Sequence, residues 1–262
     1  MRTFTILIAI FIFAATQIEA KVYGFIIGVD NYVYQKNLRH AKDDAILFYA
    51  TLKHINPLMD VEWNVLLDDD ATPENIVAHL IRYIKVIKEE DTFIFYYSGH
   101  GSDEGIYVSD SYMKSGMLPY EDLKLGIKYI SAKEKLIFMD ACNSAAIIKK
   151  KLTAYENEKF RTYSTARSSN KTGQNTILFL GSGVAEESME LGIVGHGLFT
   201  FFLCAGLRGE ADFNKDNYVQ IDELFYFFRN NTFATSKIIS TKYQCPLLIG
   251  NFDKKLVIAN LN

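Results

Sequence analysis

The sequence predicts an α/β fold of three layers, with a mainly parallel central sheet flanked by helices on both faces. Three observations lead there. The runs Phe93–Tyr97 and Leu136–Met139 are continuously apolar, which suits central strands covered on both faces rather than half-exposed ones. Strand-like runs alternate with helix-period runs along the chain, as parallel sheets with crossover helices require. Both apolar runs end abruptly in small and reactive residues: Ser98, Gly99, His100 and Gly101 after the first, Asp140, Ala141, Cys142, Asn143 and Ser144 after the second. In an open parallel sheet, chemistry gathers in the loops beyond the carboxyl ends of the strands.

The elements follow in order. Val22–Gly28 reads as a buried first strand, ending at Val29, Asp30, Asn31 and Tyr32. Asp43 and Asp44 open a helical pattern through Ala45, Phe48, Leu52 and Ile55, stopped by Pro57. Val61–Leu66 is a second strand. Thr72 is placed as an N-cap with Pro73 at the first helical position, and that helix runs to about Lys88. The third strand leads to His100, and Gly105–Ser109 is a short accessory strand. A helix over Pro119–Tyr129 precedes the strand that leads to Cys142. Further strands are expected at Thr176–Leu180 and Leu256–Ala259, and helices at Leu198–Leu207 and Ile221–Asn230. Between them, residues 149–175 turn rich in Lys, Arg, Ser, Thr and Asn with no clear period, which marks a long linking loop.

The chain has 262 residues, 49% hydrophobic and 23% charged, with a net charge of −3. That is material for one domain with an ample core, and it offers no basic surface for nucleic acid. Arg2 followed by the apolar run Phe4–Ala15 reads as a secretory signal peptide over residues 1–20, too short to span a membrane comfortably. The expected mature chain is then a single domain, 21–262, secreted or periplasmic, with no membrane span. The sequons at Asn170 and Asn230 matter only in a eukaryotic secretory pathway. There are three cysteines, so at least one is unpaired. Cys142 is expected to be the free thiol, Cys204 a small core residue, and a Cys204–Cys245 bridge is not favoured.

His100 between two glycines and Cys142 at a strand end make a candidate nucleophile–base pair. A neighbouring imidazole raises the thiolate fraction of a cysteine or shuttles its proton. Cys142 would attack a scissile carbonyl, and His100 would protonate the leaving amine and then activate water. His196, between Gly195 and Gly197, is a rival base, but it is expected to open a helix with no strand before it and is read as structural.

The motifs SGHG after an aromatic strand and DACNS after an aliphatic one resemble those of the caspase and metacaspase family of cysteine peptidases. The similarity extends, in the same order, to GVDNY, LRHAKDDA, GHGLFTFFLCAGLRGEAD and QCPLL. It implies the caspase-like fold and cysteine endopeptidase activity needing no cofactor for the chemistry. It also implies oxyanion donors from the backbone N–H groups of Gly101 and Cys142. In metacaspases the acid two residues before the cysteine lines a negative primary pocket; here it is Asp140, with Asp44 and Ser98 matching two further pocket positions. Two carboxylates favour Arg or Lys in polypeptide substrates, while Asp44 also suits a helix start, and Asp30 could supply an acid at the same rim. Caspases carry their processed linker where residues 149–175 lie, so self-cleavage there is expected. Competing readings are a legumain-like or gingipain-like peptidase of the same fold, and a non-catalytic calcium-binding secreted module.

The calcium reading rests on residues 212–223, which match the twelve-residue EF-hand spacing. Oxygen ligands would come from Asp212, Asn214, Asp216, the Tyr218 carbonyl, Gln220 and Glu223, with Asn217 where glycine normally makes the turn.

Overall fold

The computed structural model describes residues 20–55, 61–109, 116–148 and 175–261. The expected signal peptide, apart from Ala20, and the 149–174 part of the expected linker, with the Asn170 sequon, lie outside the described residues. Among the described residues no helix is long and apolar enough to cross a membrane.

The central sheet has six strands in the order β11–β7–β6–β3–β1–β2. In chain order these are β1 Val22–Gly28, β2 Val61–Leu67, β3 Thr92–Ser98, β6 Glu134–Asp140, β7 Asn175–Leu180 and β11 Leu247–Gly250. Five run parallel, and β11 adds an antiparallel edge against β7. The mixed edge leaves the three-layer α/β expectation intact.

Side chains of a strand alternate between faces, and the core divides accordingly. Tyr23, Phe25, Ile27, Phe93, Phe95, Tyr97, Ile137 and Met139 point to one face, where α2 (Pro73–Val86) and α3 (Tyr120–Tyr129) cover them. Val22, Ile26, Ile94, Tyr96, Leu136 and Phe138 point to the other. There α1 (Ala41–Ile55), α4 (Leu198–Ala205) and α5 (Ile221–Ile239) complete the third layer. On that face Phe138 stacks on Phe179 with ring centroids 4.3 Å apart and tilts against Phe48 at 5.0 Å.

Local signals are realised closely. The Thr72 side chain accepts from Asn75 N at 3.1 Å and Pro73 takes the first helical position, satisfying an N–H that the helix itself cannot. Differences lie where tertiary pairing decides. The helix expected over Ile221–Asn230 continues to Ile239, since Thr232 and Ser236 are buried against the protein instead of ending the helix. The strand expected over Leu256–Ala259 is β12, Val257–Asn260, and it leaves the central sheet to pair with β10, Tyr218–Gln220. Two short hairpins complete the chain. One joins β4 (Gly105–Tyr107) to β5 (Met117–Pro119), the other β8 (Glu190–Leu191) to β9 (His196–Gly197). None of the three cysteines is joined in a disulfide, and Cys204 and Cys245 are buried.

Phe138→Ala would open a void between Phe48 and Phe179. It should destabilise the fold by about 3–5 kcal/mol, as large aromatic truncations in cores do, read as a shift of the urea midpoint at unchanged slope.

Candidate active site

Three parallel strands end together. The register aligns Gly28 of β1 with Ser98 of β3, and Ser98 with Asp140 of β6. The residues that follow each strand therefore rise from one rim: Asp30 after β1, His100 after β3, Cys142 after β6. Gly101 sits hard against the cysteine backbone, because a Cβ there would come 2.4 Å from the Cys142 carbonyl oxygen. Only glycine permits that approach. Gly101 bridges to Ile106, but the bonds of that bridge belong to its neighbours, Tyr107 N to His100 O and Ser102 N to Gly105 O, both 2.9 Å. The N–H of Gly101 is left outside the ladder, beside Cys142.

His100 is held on three sides. Its backbone N–H donates to the Tyr32 hydroxyl at 2.9 Å, and that hydroxyl donates to Val29 O at 2.9 Å. The Tyr32 ring lies 4.8 Å from the imidazole, centroid to centroid. His100 Nε2 lies 2.6 Å from the carbonyl oxygen of Lys36. A carbonyl only accepts, so Nε2 carries the proton in the neutral ring and Nδ1 keeps the lone pair. Tyr32 and the Lys36 carbonyl were not singled out from sequence. A backbone oxygen has no residue-type signal, and Tyr32 stood only within a resemblance motif.

Cys142 is half-buried, and its Sγ accepts from Ser188 N at 3.3 Å. Burial pushes the thiol above its usual range, Ser188 N–H works against that, and the negative charges of Asp140 and Glu187 add to it. The raised thiol favours the neutral form of Cys142.

Asp44, Ser98 and Asp140 meet on the floor of a cleft of about 410 Å³ that His100 and Cys142 also line. Asp140 is almost fully buried and accepts from the Ser188 hydroxyl, from Thr200 N at 3.2 Å and from Thr200 Oγ1 at 2.7 Å. Asp44 accepts from Ser98 Oγ at 3.2 Å and from Gly197 N at 3.0 and 3.1 Å. Its position is thus in the cleft rather than at the first N–H groups of α1. Desolvation drives the Asp44 carboxyl up to about 7, the His196 bond opposes this, and the nearby Asp140 charge raises it again. Burial also raises Asp140, against the Ser188 and Thr200 hydrogen bonds. Gly197 lies between the two acids: a Cβ there would be 2.7 Å from Asp140 Oδ2 and 2.9 Å from Asp44 Oδ2.

Two sequence expectations need correction. Asp30 is not an acid of the cleft floor, because its carboxylate accepts from Ala41 N at 2.8 Å and Lys42 N at 3.3 Å and so caps α1. His196 lies in strand β9 just before α4, and its Nδ1 is 3.0 Å from Asp44 Oδ1, so its structural part is played inside the acidic floor. Glu190, also unforeseen, lines the cleft while its Oε1 accepts from Arg39 N and His40 N, each at 3.2 Å.

The 212–223 loop lies away from this cleft, between α4 and α5. Asp212 accepts from Asp216 N (3.2 Å) and Asn217 N (3.1 Å), Asn214 from Asp216 N, and Asp216 from Tyr218 N. Asn217 takes the left-handed turn expected of it, with φ 67°. Glu223, however, bonds Gln220 N at 3.1 Å in a capping box of α5. Among the described residues no three His, Cys, Asp or Glu side chains converge as a metal-ligand group. The turn suits calcium while the ligand set is incomplete, and no chemical step below uses the ion.

No curated protein matches the chain in sequence. Among solved structures, a protein from Geobacter sulfurreducens is similar with TM-score 0.59 and 15% identity, over 92% of this chain and 100% of that one. Caspase-1 from Spodoptera frugiperda is similar with TM-score 0.64 and 14% identity, over 92% of this chain and 91% of that one. At such identities these likenesses establish the fold alone. The family model described as the caspase domain matches residues 22–257, from the first strand into the last. With that match over nearly all of the described residues, the chain belongs to the caspase-domain family of cysteine peptidases.

Proposed function

We propose that this chain is a cysteine endopeptidase that cleaves polypeptides after arginine or lysine, with Cys142 as nucleophile and His100 as its proton partner. The observation that carries the reading is the pair of buried carboxylates, Asp44 and Asp140, on the floor of the cleft that both residues line. Two acids so placed suit a guanidinium or ammonium and repel a carboxylate.

The proposed steps run in order. A basic side chain enters the cleft and places its carbonyl carbon above Cys142. Nδ1 of His100 takes the thiol proton as the sulfur attacks, and Nε2–H stays on the Lys36 carbonyl, which keeps the ring oriented. The N–H groups of Gly101 and Cys142 meet the developing oxyanion. The imidazolium returns its proton to the leaving amine, and water, activated by His100, then releases the acyl group. A thiol held neutral by burial fits this order, because proton removal accompanies attack.

The chemistry is tested by single substitutions. Cys142→Ala should abolish hydrolysis of Arg and Lys peptides, and His100→Ala should lower kcat by a factor on the order of 10²–10⁴, with thermal unfolding unchanged in both. Loss through His196→Ala with full activity in His100→Ala would reassign the base. A wild type preferring Asn or Asp at the cleaved position would overturn the acidic-pocket reading and favour a legumain-like or caspase-like specificity.

The pocket has its own pH signature. Asp44 is protonated below about 7 and charged above it, so attraction for a cation grows as pH rises through that value. The preference for arginine over its neutral isostere citrulline should rise with pH across that range, and Asp44→Asn should flatten the rise. Taking the ratio removes any pH dependence of the chemical step, which both substrates share.

Self-processing extends the reading. Residues 149–175 hold Lys149, Lys150, Lys151, Lys159, Arg161, Arg167 and Lys171. Intact mass should show wild type cut after one or more of these and Cys142→Ala uncut. The two pieces should stay together, because β7 is paired on both sides, with β6 and β11. A fully active wild type that stays one chain would rule out cleavage as an activation step.

A further inference from the structure

We propose that Gln244 is a positioning residue of this site: through Ser188 it holds the nucleophile and the pocket carboxylate in one hydrogen-bonded unit, anchored to α5 and the sheet edge. Its kinetic consequence rests on the peptidase reading above.

Gln244 lies between α5 and β11 and is fully buried. A buried amide needs its donors and acceptor met, and every contact of this one serves the segment after β7. Nε2 donates to Gly181 O at 2.9 Å and to Ser188 Oγ at 3.1 Å, and Oε1 accepts from Met189 N at 2.9 Å. Its backbone N–H is fastened to α5 through Ser236 Oγ at 3.0 Å. The next residue repeats the clamp: Cys245 N donates to Glu186 Oε2 at 3.0 Å, which also accepts from Gly183 N at 3.1 Å.

Ser188 is where this clamp meets the chemistry. Its hydroxyl has one proton and already accepts from the Gln244 amide, so that proton goes to Asp140 Oδ1. Its backbone N–H points at Cys142 Sγ. The chain of donors runs one way, from amide to hydroxyl to carboxylate, and the same residue supplies the sulfur with a donor. Removing the Gln244 amide loosens the Ser188 hydroxyl and the Met189 N–H, and withdraws the Ser188 N–H from the sulfur.

If Gln244 only filled space, methionine of similar volume would serve. Gln244→Met and Ser188→Ala are therefore compared with wild type on the full chain. The charged and titratable groups around the thiol are Asp140 on its own strand, Glu187 on the clamped segment, His100 and Tyr97 from β3 and its loop, and Tyr120 on α3. Neither substitution replaces any of these groups, although Ser188→Ala takes one donor from Asp140. The readouts are the rate of Cys142 alkylation by iodoacetamide against pH, assigned by peptide mass so that Cys204 and Cys245 are separated, and kcat/KM on an Arg peptide. Thermal unfolding is followed alongside.

Gln244→Met should alkylate about threefold to tenfold more slowly at pH 8, its profile moved upward by up to about one pH unit. Ser188→Ala, at a half-exposed position that should not threaten folding, should lose fivefold or more in kcat/KM on the Arg peptide, and its preference over citrulline should shrink. A folded Gln244→Met whose alkylation profile superimposes on wild type would reduce Gln244 to packing and overturn the proposal. A Ser188→Ala with wild-type kinetics and preference would do the same, even if Gln244→Met failed to fold. A wild type that alkylates as described but cleaves no basic peptide would sink the peptidase reading while leaving the alkylation comparison decisive for Gln244.

Discussion

An ionised carboxylate is too costly to bury without donors, and Asp140 is the buried carboxylate around which this site is assembled. It sits at the last position of the central strand β6, two residues before Cys142. Its partners come from two directions: Ser188 from the segment after β7, and Thr200 from the first turn of α4, by backbone and side chain. Thr200 is tied in turn to Tyr96 of β3, hydroxyl to hydroxyl at 2.6 Å. Satisfying one acid thus draws together β3, β6, α4 and the loop that meets the thiol.

Asp44 repeats the arrangement from the other side. Its carboxylate is met by Ser98, Gly197 and His196, so the third strand and the β8–β9 hairpin are joined to α1. Both acids are deprived of water, which raises them, and the Asp140 charge raises Asp44 further. The same conditions reach the thiol: burial first, then the Asp140 and Glu187 charges, push Cys142 up.

The parallel register is what makes these distances short. Gly28, Ser98 and Asp140 lie level across three adjacent strands, so the loops beyond them open on one cleft without any long excursion of the backbone. The antiparallel edge strand β11 then brings the segment before it, with Gln244 and Cys245, back over the same end of the sheet.

The sequence alone determined the layers, the central strands and the two motifs. Continuous apolar runs such as Phe93–Tyr97 and Leu136–Met139 have few other places to go, and Thr72 with Pro73 marks a helix start by local chemistry. These signals lie within a few residues of the element they specify. Asp44 was legible both as a pocket candidate, through resemblance, and as a helix-start acid, and its contacts with residues 98, 196 and 197 came only with the tertiary structure. Asp30, equally acidic and equally near, turned out to cap that helix instead. The edge strand β11, the pairing of β10 with β12, the Lys36 carbonyl on His100, and the contacts of Ser188, Glu190, His196 and Gln244 were decided by the tertiary structure. Each depends on groups far apart in the chain meeting at a hydrogen-bond distance, and residue type or spacing along one strand carries no record of that meeting.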